Sequence, residues 1–220
     1  MNGNFSNVKK IDQQYKDIVI GFIRELNNQL TSNHFVNIPL EIIYLCLLFY
    51  WNDEFDPLLC GKYLKLSENN KKLSAVQAKW NTCYGKIIIN PSINGLYIWK
   101  IKIVEPDTNG LVIGIDNAKG KYANDYFWDK KETGSYNWHA WGGQVRSWNK
   151  SNKDHSIYAK NVNDIIIMKL EFNSNSHKGI LSFKVNKKKF IAADDVPRDK
   201  ELRYRLAITM LSTSCAVQLV

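Results

Sequence analysis

The chain has 220 residues, of which 45% are apolar and 12% aromatic, and its net charge is +9. That composition excludes a disordered chain and leaves room for one domain with a sizeable core, with or without a small helical attachment. The charge is uneven: residues 1–60 hold four Lys/Arg against seven Asp/Glu, and the remainder holds 26 against 14. Since the excess is scattered lysine, with Lys187-Lys188-Lys189 the one run of three, solvated lysines that keep sheet edges apart are a better reading than nucleic-acid binding.

Two helices are expected first. Ile11, Tyr15, Ile18, Val19, Phe22, Ile23, Leu26 and Leu30 recur mostly at spacings of three and four, one stripe of an amphipathic helix. A second helix starts near Pro39, where proline suits the first turn, and runs through Ile42, Ile43, Leu45, Leu47, Leu48, Phe49 and Tyr50. Asp53-Glu54-Phe55-Asp56-Pro57 ends it. The apolar stretch 38–51 is shorter than the roughly 20 residues a bilayer requires, so no membrane insertion is expected. The pair is expected to dock on the rest of the domain, with a partner-binding role as the alternative. Residues 1–60 thus form a helical region, and the polar residues 61–76 a linker with one short strand at 63–66.

From residue 77 the pattern changes to strands. Trp80 and Lys86-Ile87-Ile88-Ile89 suggest early strands, and Asn90-Pro91 and Asn94-Gly95 are turn signals. Alternating apolar runs follow at 96–103, 111–115, 136–141, 165–172, 180–185 and 206–211, bounded by Gly, Asn, Asp or Lys. With no helical pattern between them, the strands predict a mainly β, antiparallel two-sheet sandwich over residues 77–220.

The same segments carry a family likeness. Asn94-Gly95-Leu96-Tyr97-Ile98-Trp99-Lys100-Ile101-Lys102-Ile103 followed by Val112-Ile113-Gly114-Ile115 resembles the opening of a SPRY domain. Tyr136-Asn137-Trp138-His139-Ala140-Trp141-Gly142-Gly143 resembles that family's aromatic strand and turn. Asp164 with the run 165–172, Gly179-Ile180-Leu181-Ser182-Phe183-Lys184-Val185-Asn186, and Tyr204-Arg205-Leu206-Ala207-Ile208-Thr209-Met210 are similar to its later strands. Ile166-Ile167-Met168 departs from the usual small residues, and Asn186-Lys187 lacks the turn glycine. The resemblance implies a concanavalin-like sandwich that binds protein partners through its loops. Asn37-Ile38-Pro39-Leu40-Glu41-Ile42-Ile43 also resembles the start of an F-box, which would make the chain a ubiquitin-ligase substrate adaptor, although no tryptophan follows at the F-box distance between Trp51 and Trp80.

Catalytic signals are weak. Cys46, Cys60, Cys83 and Cys215 have no zinc-ligand spacing, and with a polar N-terminus they read as reduced thiols of a cytoplasmic protein. His139 lies between two tryptophans and reads as a hydrogen-bonded sheet residue, while His155 and His177 read as solvated. Asp194-Asp195 reads as a turn and Gly142-Gly143 as a hairpin turn. No enzyme activity, metal or cofactor is expected.

The most informative loop is Lys119 to Trp128, which sets Tyr122, Tyr126, Phe127 and Trp128 between two strands. Trp141, Arg146 and Trp148 around the following turn would share its rim. Aromatics on a loop rim serve as binding anchors, although Phe127 and Trp128 could equally fold inward and seal the sandwich. The expected function is capture of a peptide segment of a protein partner, the rival being a lectin-like, carbohydrate-binding or hydrolytic sandwich.

Overall fold

The computed structural model describes residues 53–106, 110–117, 119–127, 134–147, 150–173 and 176–220. Both expected N-terminal helices, the F-box-like stretch, Trp128 and Trp148 lie outside the described residues. The described chain is a sandwich of two antiparallel seven-stranded sheets. The first sheet contains β1 (Phe55–Cys60), β4 (Asn81–Gly85), β6 (Val112–Asn117), β7 (Tyr136–His139), β8 (Gln144–Ser147), β9 (Lys150–Asp154) and β13 (Tyr204–Met210), in the order β1-β4-β13-β6-β7-β8-β9. The second contains β2 (Leu64–Ser67), β3 (Lys72–Ala75), β5 (Gly95–Glu105), β10 (Ile165–Phe172), β11 (Lys178–Val185), β12 (Lys188–Pro197) and β14 (Ala216–Leu219), in the order β12-β11-β10-β5-β14-β3-β2.

Strand alternation builds the space between the sheets. Tyr97, Trp99, Ile101 and Ile103 of β5 and Ile166, Met168, Leu170 and Phe172 of β10 point inward from the second sheet. Ile113, Ile115, Tyr136, Trp138, Leu206 and Ile208 meet them from the first. Trp138 spans the gap, with its ring 5.4 Å from that of Phe183 and 5.5 Å from that of Phe190. Each such aromatic pair adds about 0.5–1.5 kcal/mol beyond its buried area. His155 stacks on Phe190 at 4.8 Å, so it is a half-buried packing residue and not the solvated side chain expected.

Several elements differ from the sequence expectation. The segment expected to end a helix begins β1; Pro57 is accommodated there because β1 lies at a sheet edge, where a missing N–H costs no ladder bond. The stretch 61–76 holds the short strand expected at 63–66, as β2, and also an unexpected one, β3, which pairs with β2 and β14. Both are only four residues long, and the turn between them is built from Glu68, Asn69 and Asn70, all at positive φ. Those polar turn residues hide the pattern of β3. Of 86–89, only Ile89 pairs, in an isolated bridge to Tyr204. Asp194 and Asp195 do not form a turn but lie inside β12. Leu181 faces Ala193 and Gly179 faces Val196, which leaves two aspartates opposite Ile180 in a β-bulge. The glycine-free turn between β11 and β12 works because Asn186 takes φ +52° and donates from its amide to Asp164 at 3.0 Å.

The part of the first sheet formed by β4, β13 and β6 is buried on both faces. Beyond its inward residues, Thr82, Tyr84, Val112, Ala207 and Thr209 point outward yet are fully covered. Tyr84, Val112 and Ala207 form a second apolar cluster with Phe127, and Leu59, Trp80, Tyr122 and Tyr126 pack against it.

Candidate functional site

The outer face of the first sheet is organised in cross-strand rows. One row runs Thr82, Thr209, Val112, His139 over β4, β13, β6 and β7. The next runs Tyr84, Ala207, Gly114, Asn137, Arg146 and reaches β8. Residues of one row lie side by side on one face. The half toward β4 carries the apolar Val112, Ala207 and Tyr84 ring with the mutually bonded hydroxyls of Thr82 and Thr209, and the half toward β8 is polar.

The loop that follows β6 covers the apolar half. Gly120, at φ +62°, turns the chain against Leu59. Backbone bonds then strap the loop to β4: Thr82 N donates to Ala123 O at 2.9 Å and Thr82 Oγ1 to Asp125 O at 2.7 Å. Lys62 N donates to Asn124 Oδ1 at 3.0 Å. Phe127 is fully buried beneath the loop. It therefore folds inward, the second of the two readings open for it, but it covers the outer face of the first sheet and does not seal an end of the sandwich. Complete burial of such a ring stabilises by about 1.5–3 kcal/mol. Tyr122 and Tyr126 remain half-buried at the rim, and the Tyr126 ring meets the edge of Trp80 at 6.4 Å.

Trp141 stands in the turn that joins β7 to β8, which Gly143 closes at φ +72° with its N–H donating to His139 O at 2.8 Å. Arg146 past this turn lies on a strand, β8, and not in a loop. Trp141 is 43% exposed and Tyr158 40%. Lys160 lies 5.2 Å from the ring centre of Trp141 and 4.1 Å from that of Tyr158, a cation shared by two aromatic faces.

Arg146 reaches the polar half from β8, directly opposite Asn137. Its Nη2 donates to Gln144 Oε1 at 3.4 Å, and its Nε is enclosed without an acceptor. Asn137 is 1% exposed, and neither its amide oxygen nor its amide nitrogen has a hydrogen-bond partner. It fits there because its cross-strand neighbour is Gly114; a Cβ at 114 would come within 2.0 Å of Tyr136 O and 2.9 Å of the Asn137 Cβ. His139 is half-buried in the adjacent row, and burial with the Arg146 charge holds its imidazole down at about 4. Tyr84 OH donates to Asp116 Oδ2 at 2.8 Å on the same face, and burial together with the Asp116 charge pushes that phenol up.

Sequence reasoning pointed to Tyr122, Tyr126, Trp141 and Arg146, which the fold sets around this one face. It missed Asn137, Tyr158 and Lys160 as contributors. The available signal for Asn137 was its place between Tyr136 and Trp138: in a strand whose neighbours point inward, it must point out.

A cleft lined by Ser92, Ser176, His177, Lys178, Asp195, Pro197, Arg198 and Asp199 lies elsewhere. Arg198 there donates to the carbonyls of Pro91, Asn173, Ser176 and Ser92 and to Asn94 Oδ1, so it holds loops together. Among the described residues no three His, Cys, Asp or Glu side chains gather as a metal site, and no helix is long and apolar enough to cross a membrane.

No family model matches the chain, and no curated protein does. Solved structures do match. The SPRY domain of human HERC1 superposes with a TM-score of 0.54 at 18% identity, covering 75% of this chain and 96% of that one. A human SPRY domain gives 0.52 at 15% identity over 72% of this chain and 94% of that one. The TRIM65 PSpry domain gives 0.52 at 11% identity over 86% and 99%. The fold is therefore a SPRY-like β-sandwich.

Proposed function

We propose that this domain is a non-catalytic protein-interaction module that holds a peptide segment of a partner against the outer face of its first sheet. The contact runs between the loop bearing Tyr122 and Tyr126 and the turn bearing Trp141. One observation carries the reading: Trp141 and Tyr158 are both large, both exposed, and held in place by Lys160 at the margin of that face. Rigid aromatics at a surface lose little entropy on binding and make up most interface hot spots. The SPRY-like fold supports a protein-binding role, and the reduced thiols expected from the sequence favour a cytoplasmic setting.

The test is affinity capture from cell extract with wild type and a Trp141→Ala/Tyr158→Ala variant, with captured proteins identified by mass spectrometry. Wild type is expected to retain a set of proteins that the variant loses. Equal capture by both would remove this face from consideration, and saturable binding of a glycan would favour the lectin-like alternative.

A further inference from the structure

The described arginines differ in how their charge is satisfied. Arg205 pairs with Asp56 at 3.0 Å and also donates to Gly85 O at 3.1 Å. Arg203 donates to the carbonyls of Lys200 and Leu202, both at 2.6 Å, and Arg198 to the loop carbonyls named above. Arg146 has a single long bond, to the neutral amide of Gln144. Its enclosed Nε lies beside a second donor group without an acceptor, the buried amide of Asn137.

Among the described residues, no carboxylate pairs with Arg146. Asp116, one strand away, accepts from Tyr84 OH. Asp154 faces Gln144 in register, but its Oδ1 accepts from Ser156 N at 3.1 Å. His139 next to the pair is held neutral and adds no competing charge. A guanidinium partly withdrawn from water without a counter-charge is costly, and so is a buried amide without a partner. An anion accepting from the half-buried guanidinium offsets the first cost.

We propose that Arg146, standing opposite the buried Asn137, forms the seat for an aspartate or glutamate side chain of the bound peptide. This rests on the peptide-binding reading and specifies its chemistry. The seat lies on the polar half of the face, so the acidic residue enters beside β8 while apolar neighbours in the peptide meet Trp141 or Tyr126. The charge of the domain suits it, because residues 61–220 carry 26 Lys/Arg against 14 Asp/Glu and would draw an acidic segment in.

The experiment pans a random dodecapeptide phage library on the whole chain, using wild type, Arg146→Gln and Arg146→Glu. Wild type is expected to enrich peptides with Asp or Glu at one fixed position. Replacing that residue by Asn or Gln in the synthetic peptide is expected to weaken binding about 30-fold or more, the loss typical of a buried charged hydrogen-bonded pair. Arg146→Glu is expected to exchange the preference for Lys or Arg, which a merely structural role for Arg146 would not produce. Should Arg146→Glu fail to fold, Arg146→Gln with the Asp and Asn peptides closes a double-mutant cycle, and additive losses there would overturn the seat. Enriched peptides with no acidic position would overturn this inference and leave the peptide-binding reading standing; failure to enrich any peptide would overturn both.

Discussion

The indole N–H of Trp99, in the middle of β5, donates to the carboxylate of Asp53 at 2.8 Å, although Asp53 leads into β1 of the opposite sheet. Asp53 also accepts from the backbone of Glu54 at 2.9 Å and Ile87 at 3.2 Å. One buried carboxylate therefore ties the start of β1, the segment after β4 and the centre of the second sheet. Burial raises its pKa above the ordinary 3.8, against the pull of the Trp99 and backbone hydrogen bonds. Between 3.8 and that raised value the folded chain keeps a proton that the unfolded chain has released. Stability contributed by this group accordingly falls as pH rises through the window. Trp99→Phe is expected to cost about 1–3 kcal/mol in urea unfolding and to move the window upward, since it deletes the foremost opposing bond. An unchanged pH profile in that variant would count against the pairing.

His139 has the opposite sign. Its imidazole is held down at about 4 from an ordinary 6.5 by burial and by Arg146. Between those values the unfolded chain binds a proton that the folded chain does not, so stability rises with pH from about 4 to 6.5 and is lost on acidification. NMR titration of the imidazole should show a midpoint well under 6, and His139→Gln should flatten the melting temperature over this range. A midpoint near 6.5 would place the ring in water.

The β1–β4 register can be read chemically. Cys60 faces Cys83, and Gly61 N donates to Thr82 O at 3.0 Å, which makes 60 and 83 a non-hydrogen-bonded pair. Such pairs hold their Cα atoms about 4.5 Å apart, inside the roughly 4.4–6.8 Å that a disulfide spans. Burial, with the Cys60 thiol beside it, pushes the Cys83 thiol up, so spontaneous oxidation should be slow. Diamide, which takes two electrons and two protons from a thiol pair and becomes the hydrazine, is expected to join them. Peptide mapping should find a Cys60–Cys83 linkage lighter by the two thiol hydrogens. Linkage of Cys60 to another cysteine would contradict the register.

Arg198 ties two separate stretches of chain to its own through its acceptors at Pro91, Ser92 and Asn94 and at Asn173 and Ser176. Arg198→Ala should destabilise by about 2 kcal/mol or more, because several carbonyls lose a charged donor at once. Arg198→Lys should recover little of this, as an ammonium lacks the planar fork. Urea titration of both variants checks the ranking; recovery by lysine would mean that charge alone suffices.

Strands with long clean alternation were legible in advance, and β10 coincides with the apolar run 165–172. β1, β3 and β12 were not, for separable reasons, whereas β2 overlaps the short strand expected at 63–66. β1 carries a proline, β3 is four residues long after an Asn-rich turn, and β12 holds a bulge that puts two aspartates in mid-strand. Each is a local exception to period-two patterning that only a partner strand can justify. The candidate site divides the same way. Aromatic Tyr122, Tyr126 and Trp141 could be picked out because their type and turn context are visible in one dimension. The meeting of Arg146 with Asn137 depends on the register between β7 and β8, which no single segment encodes.

β14 follows every other described strand in sequence, yet it lies between β3 and β5 and pairs with both. Among the described strands, the hairpin of β2 and β3 joins the second sheet only through it. A growing polypeptide emerging from the ribosome therefore carries β2 and β3 as an orphan ribbon until β14 is made. Their apolar residues, Leu73 above all, must wait for a strand made some 140 positions later. Closure over such a separation is slow, which makes this ribbon the stretch where a chaperone has the longest opportunity to bind.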